Sequence, residues 1–417
     1  MTDTPAATRH LSLDALRGIA VMGILVMNIV AFGMPFQAYI NPLAWGGATG
    51  IDLAAWATNF VLVDGKMRGF FSLLFGASTL LVIDGAAAAG GSAGRTHYAR
   101  MGWLALFGLA HYYLIWSGDI LFLYAIMGMI VFLFRGHDAR GLLKWALIFL
   151  CANFVVWGSM AGMLHAFAAM ATAPGADAEM VAGYREMIAG MGAPGSEMIT
   201  KELLVYRGGY DGILAFRTHE GGLMPFMGLI MNGLETMGFM LLGMALFRNG
   251  FLLGQWDRAA YRRIAIRCYL IGLPAMMLLA WWIWASGFDP VTSFATFFAW
   301  AAPFRPVLIV AHAALALMLI VRFADSALVR RIAATGRAAF TNYLGTSLIM
   351  TTIFYGYGFG LFGTVGRAGL WPFVLLGWAV MLAWSLPWLK RFRYGPLEWL
   401  WRSLARGSVQ PMRLAPA

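Results

Sequence analysis

The chain has 417 residues, 61% of them hydrophobic and only 12% charged, with a mean hydropathy of +0.72 and a net charge of +11. A soluble domain carries about twice that share of charged residues, so the composition excludes one and predicts an all-α, polytopic membrane helical bundle. The basic residues lie in short loops, which suits contact with anionic membrane lipids and argues against a nucleic-acid partner.

Residues 1–12 form a short polar tail. The first span lies within LDALRGIAVMGILVMNIVAFGMPF, where Asp14 and Arg17 precede an apolar run from Gly18 to Met34 that only Asn28 interrupts. No small-x-small cleavage site follows, so it reads as an uncleaved span, not a signal peptide. Arg17 and Asn28 are eleven positions apart, roughly 16 Å along a helix. That sets the arginine at one membrane face and the amide past the midplane, where it needs a polar partner.

Residues 35–50 hold no Lys or Arg and read as an outer loop. Residues 51–63 are apolar but too short to cross, so they lie at the outer interface or re-enter. Asp64, Lys66 and Arg68 open the second span, 69–83. The loop at 84–100 is basic and inside. Spans follow at 101–116, 120–134 and 145–164, then a long outer segment, 165–221, rich in Ala, Gly and Pro. Further spans are expected at 222–247, 264–285, 304–323, 338–361 and 370–389. The loops carrying Arg248, Arg258, Arg262 and Arg263, and then Arg322, Arg330, Arg331 and Arg337, are inside, as is the tail opening with Lys390 and Arg391. Every basic cluster falls on one side, which gives about ten transmembrane helices with both termini cytoplasmic. The divisions are a five-helix N-terminal half (1–164), an extracytoplasmic segment (165–221), a five-helix C-terminal half (222–389) and a cytoplasmic tail (390–417).

Three polar clusters converge toward the outer side: Asn28; Asp64 with Lys66 and Arg68; and His111 with Asp119 in HYYLIWSGDI. Histidine is the usual general base near neutral pH, and a carboxylate can orient its ring. That pairing suits activation of a hydroxyl or amine for acyl transfer, and it equally suits a cross-helix hydrogen bond with Asp119 as a helix cap. Asp64, Lys66 and Arg68 read as an interfacial ion cluster or a substrate contact. Glu235, an intramembrane acid, is a functional candidate by its position. Toward the inner face, Arg17, Arg337, Asn342 and Tyr343 suit an anionic donor such as the phosphates of coenzyme A, or lipid headgroups. His312 reads as structural. Cys151 and Cys268 lie in apolar runs and offer neither a disulfide framework nor a metal site.

LDALRGIAVMGILVMNI, DGKMRGFFSLLFGAS and HYYLIWSGDILFLYAI resemble the YeiB-like bacterial membrane proteins (domain of unknown function 418). GRAAFTNYLGTSLI, YGYGFGLFG and RYGPLEWLWRSL resemble that family's C-terminal domain. The first helix is also similar to that of the transmembrane acyltransferase superfamily, which carries acyl groups from cytoplasmic acyl-coenzyme A across the membrane. The likeness implies a bundle of ten or eleven helices in the bacterial inner membrane and a bilayer tunnel. It implies acyl-coenzyme A as donor, no metal, membrane lipids as neighbours, and a glycan or lipid acceptor; an oligomer is compatible with such a bundle. In the O-acyltransferases an arginine early in the first helix is followed eleven residues later by histidine. Here that place holds Asn28, so His111 has to supply the base. The alternative expectation is a transporter or exporter of a small or lipidic solute, with Glu235 and the Asp64/Lys66 cluster lining its path.

Overall fold

The computed structural model describes residues 11–88 and 90–414, so most of the predicted polar tail lies outside the described residues. The first half holds α1 (Leu11–Gly33), α2 (Gln37–Ile40), α3 (Gly50–Leu62), α4 (Lys66–Ala88), α5 (Ala93–Leu114), α6 (Leu121–Val131) and α7 (Ala139–Ala171). The next segment holds α8 (Ala178–Gly190), α9 (Glu197–Tyr206), α10 (Tyr210–Ala215) and a π-helical turn, Phe216–Glu220. The second half holds α11 (Met224–Arg248), α12 (Arg258–Ala285), α13 (Pro290–Ala295), α14 (Phe304–Arg322), α15 (Ala327–Arg337), α16 (Ala339–Phe354), α17 (Trp371–Arg391) and α18 (Pro396–Arg406). The described residues form no strand, only an isolated bridge between Phe392 and Arg413.

Seven stretches of the described residues are long and apolar enough to cross a membrane: α1, the α3–α4 stretch Gly50–Ala88, α7, α11, α12, α14, and Ala368–Arg391 containing α17. The apolar α6, with its 3₁₀ extension to Phe134, is shorter. α1 and α11 are mostly buried, whereas α7, α12 and α17 turn large apolar faces outward. That is the arrangement lipid imposes, since the solvent itself is apolar.

The turns that carry Arg100, Arg135 and Arg248 lie at one end of the bundle, here called the basic end. There the Trp401 indole donates to the Arg100 carbonyl at 2.8 Å and Arg248 donates to the carbonyl of Arg135. Carboxylate and hydroxyl N-caps start several helices at that end: Asp138 accepts from Gly141, Asp257 from Ala260 and Ser326 from Val329. At the opposite, far end the Gly363 amide donates to the Gly33 carbonyl, and the Tyr112 and Tyr113 hydroxyls donate to Gly221 and Gly222.

Two expected boundaries change. The helix predicted over 338–361 is α16, which starts within one residue of that expectation but ends at Phe354, and the inner loop expected before it holds α15, the two meeting at Ala338 (φ −108°, ψ 32°). Asn342, Ser385 and Trp384 stitch that junction, as described below. The run YGYGFGLFG is therefore a far-end loop and not a helix end. Its glycines admit backbone: a Cβ on Gly356 would lie 2.0 Å from the Arg207 carbonyl oxygen, and the Gly356 amide donates to the Tyr206 carbonyl. The segment 165–221 is likewise mostly helical. α7 continues to Ala171, and α9 buries Ile199 and Tyr206 against the bundle.

α1 and α15 approach through Gly18 and Gly336. A Cβ on Gly336 would stand 1.9 Å from the Asp14 carbonyl oxygen, and one on Gly18 would stand 2.0 Å from that of Ile332. Small residues allow such backbone contact in apolar surroundings. Gly336→Val should cost more than about 3 kcal/mol and abolish the monodisperse peak in detergent size exclusion. Gly345→Ala, where a Cβ meets nothing within 4 Å, should leave that peak intact.

The far-end segment is also pinned by Glu202, whose carboxylate accepts from the Phe36 amide at 3.1 Å. Burial pushes this carboxyl up to about 7, and the Phe36 N–H opposes the shift. A raised carboxyl pKa means that docking favours the protonated form, so it weakens as pH rises from the ordinary carboxylate range through 7. Hydrogen exchange of α9, corrected for intrinsic rates, should show about tenfold less protection at pH 8 than at pH 6. Glu202→Gln should remove the difference.

Candidate functional site

His111 lies one turn before the end of α5, and Asp119 precedes α6 across a tight turn. Their side chains are 0% and 2% exposed and meet at 2.8 Å, His111 Nδ1 to Asp119 Oδ1. Asp119 Oδ2 accepts from the Phe122 amide, so the aspartate both caps α6 and orients the imidazole. The two sequence readings of Asp119 are thus one structure. Donating Nδ1–H to a carboxylate leaves Nε2 with the lone pair. Nε2 is buried and has no partner. Trp116, stacked on Phe32, and Tyr343 wall the ring, with the Tyr343 centroid 5.3 Å away.

A cavity of about 1210 Å³ opens along the basic end and reaches Ile120, Tyr124 and Tyr343 at depth. Arg17, Arg95, Arg100, Arg337, Arg393, Arg402 and Arg406 line it, against only Asp14 and Glu398 as acids. Asp14 and Ser78 hold the Arg17 guanidinium at 2.9 and 3.0 Å. Arg100 stacks over Trp401 at 4.0 Å. A second, much smaller space of about 10 Å³ lies between Asn28, Phe32, Tyr343, Ser347 and Met381. Tyr343 belongs to both walls, so it partitions the basic cavity from the space beside Asn28.

Arg100 precedes His111 by eleven residues, the separation between Arg17 and Asn28. Both arginines line the same cavity, and Asn28 and His111 both adjoin Tyr343. Two helices therefore carry parallel rulers of roughly 16 Å from a cationic level to a polar level. The second ruler has the same spacing in the sequence, but there Arg100 reads as an ordinary loop cation. Arg95, Arg393, Arg402 and Arg406 were likewise not singled out.

The remaining candidates lie elsewhere. Arg68 and Arg305 grip the two oxygens of Glu235, the latter at 2.7 Å, and Lys66 donates to the Phe60 carbonyl. Asp64, Lys66 and Glu235 are buried, and with Arg68 they line neither cavity. Asn342 is also absent from the cavity walls. Its amide donates to the Thr335 carbonyl and Ser385 Oγ, and its oxygen accepts from the Trp384 indole, so it closes the α15–α16 break. Of the four residues expected at the donor, Arg17, Arg337 and Tyr343 share the cavity and Asn342 does not. His312 bridges the Tyr269 hydroxyl and the Leu62 carbonyl, a structural placement.

A protein-family model described as "Protein of unknown function (DUF418)" matches residues 246–408. YeiB, an uncharacterized protein of Escherichia coli strain K12, is 31% identical over 420 aligned residues, covering 97% of this chain and 98% of that protein. The chain belongs to the DUF418 family. YxaH, an uncharacterized protein of Bacillus subtilis strain 168, is 29% identical over 419 residues, covering 96% and 95%. The matched DUF418 region includes Arg337, Tyr343, Glu398 and Arg402 of the cavity wall, whereas His111 and Asp119 precede it.

In this DUF418 chain Glu235 is the counter-charge for two arginines. Removing one partner of a buried pair leaves an uncompensated charge and costs about 3–5 kcal/mol. Glu235→Gln should therefore lower the unfolding midpoint clearly. Glu220→Gln, which breaks the half-exposed pair with Lys201, should leave it unchanged.

Proposed function

We propose that this chain is a ten-span acyltransferase of the bacterial cytoplasmic membrane, moving an acyl group from acyl-coenzyme A to a hydroxyl or amine of a glycan or lipid acceptor. The observation that carries this reading is the arginine-lined cavity, which ends at Tyr343, against the imidazole whose Nε2 has no partner. The positive-inside rule sets the basic end and both termini in the cytoplasm. Counting α5, α6 and the interrupted α15–α16 pair as spans beside the seven long stretches gives ten.

Coenzyme A phosphates fit the arginines, which recognise phosphate bidentately. The pantetheine arm then extends inward to bring the thioester to Tyr343. His111 Nε2 takes the proton of the acceptor as its oxygen or nitrogen attacks the thioester carbonyl. The carbon–sulfur bond breaks, and the coenzyme A thiolate takes that proton back from the imidazolium. Asp119 stays ionised and holds Nδ1–H through both steps. Asn28, on the other side of Tyr343, supplies an amide to donate to the carbonyl oxygen as charge develops. Glu235, which a carrier would place on its solute path, is held by two arginines.

Coenzyme A should bind the purified protein saturably, and Arg17→Ala should weaken that binding. In membranes holding the natural acceptor, His111→Gln should lower thiol release from acetyl-coenzyme A by about 10²–10⁴-fold while leaving coenzyme A binding unchanged. No binding at millimolar coenzyme A overturns the donor assignment, and full turnover in His111→Gln overturns the base.

A further inference from the structure

Arg217 sits in the π-helical turn Phe216–Glu220 at the far end and is 1% exposed. Its Nε, Nη1 and Nη2 have no hydrogen-bond partner. Arg305 and Arg367, the other buried arginines among the described residues, both have acceptors: Glu235 and the Phe297 carbonyl for the first, the Ala38 and Trp45 carbonyls for the second. What Arg217 has instead is two tyrosines, their ring centroids 5.8 Å (Tyr206) and 5.6 Å (Tyr355) from Cζ, with the Tyr206 hydroxyl near enough to favour the charged guanidinium but outside hydrogen-bond geometry. Ring faces offset part of a cation's desolvation but accept none of the five guanidinium N–H groups in line. A buried guanidinium in that condition is costly unless something supplies oxygens.

Tyr206 and Tyr355 belong to the hydrophobic cluster under the far-end cap. Gly356 and Tyr206 join the loop after α16 to the end of α9 by a backbone bond of 2.8 Å. The Tyr206 hydroxyl also meets Ser117 Oγ at 3.3 Å, two residues before Asp119. The unpartnered fork thus lies between the far-end cap and the turn that carries the candidate base. π-Turns of this kind concentrate at functional sites.

We propose that Arg217 is an anion-binding residue whose guanidinium receives the phosphate or carboxylate of a ligand entering from the far end. The planar fork pairs bidentately with either oxyanion, and the tyrosine rings hold it flat for that contact. The ligand enters when the cap, pinned by Glu202 to Phe36, moves. That this ligand is the acyl acceptor rests on the transferase reading. The anion site itself does not.

The test uses the full chain in phosphatidylcholine nanodiscs, as wild type, Arg217→Lys and Arg217→Met, with a His111→Gln background in parallel. The unfolding midpoint is measured in sodium phosphate, sodium acetate and sodium chloride at matched ionic strength. Wild type should rise by about 2–4 °C in phosphate or acetate over chloride, and so should His111→Gln, whatever becomes of the catalytic assignment. Arg217→Lys should retain a smaller rise. Arg217→Met should be at least as stable as wild type in chloride and show no rise. Repeating wild type in phosphatidylglycerol nanodiscs in chloride identifies the source: a rise there marks a lipid headgroup, and a rise confined to added phosphate or acetate marks a soluble group. No rise in wild type under any of these conditions, or an equal rise in Arg217→Met, overturns the proposal. So does an Arg217→Met midpoint in chloride well below wild type, because the tyrosine sandwich would then be a structural element in its own right.

Discussion

The carboxylate of Glu235 ties α4, α11 and α14 together where no water can screen it. Arg68 comes from the first of these helices, Arg305 from the last, and each takes one oxygen. An apolar solvent gives helices little reason to prefer one neighbour over another. A charge that must be paired supplies that reason, because a shifted register would strand two guanidinium groups. The neighbouring Lys66, donating to the Phe60 carbonyl, likewise fixes the turn between α3 and α4. The polar cluster most visible in the sequence after Asn28 thus helps to hold these helices in register.

Around that frame the two ends differ in kind. The basic end is open and cationic, with its cavity walled by α1, α4, α5, α16 and α18. The far end is closed by backbone-to-backbone contacts among the α1 terminus, the α9 segment and the loop after α16. His111 and Asp119 lie between them, with Tyr343 on one side and Trp116 on the other.

Much of this was legible because lipid enforces simple rules. Apolar runs marked where the long helices lie, since every backbone polar group must be satisfied inside its own helix, though α7 extends six or seven residues past its expected span at each end. The proximity of His111 and Asp119 was readable because a short turn joins their helices. The helix α15 before Ala338 was not, because its arginines read as an inner loop, and the bonds that close its junction with α16 are remote: Asn342, Ser385 and Trp384 close it from two helices. For the same reason Asn342 looked like a ligand contact when it is a seam. Arg217 stood in a polar segment among other charged residues, and only its burial without acceptors separates it from them. In the expected tail, 390–417, the amphipathic α18 supplies Glu398, Trp401, Arg402 and Arg406 to the cavity wall.

That last feature links mouth and interior. The Glu398 carboxylate accepts from the amides of Phe340 and Thr341 at 2.7 and 3.1 Å and from the Thr341 hydroxyl at 2.6 Å. It thereby stands in for the missing cap of α16, whose first amides have no helical acceptor of their own. Four residues after the start of that helix comes Tyr343, the partition beside the imidazole. An occupant that wedges α18 outward must pull Glu398 from those amides and loosen the first turn of α16. Entry at the rim and the seating of the partition thus work as one lever, with its fulcrum at a single carboxylate.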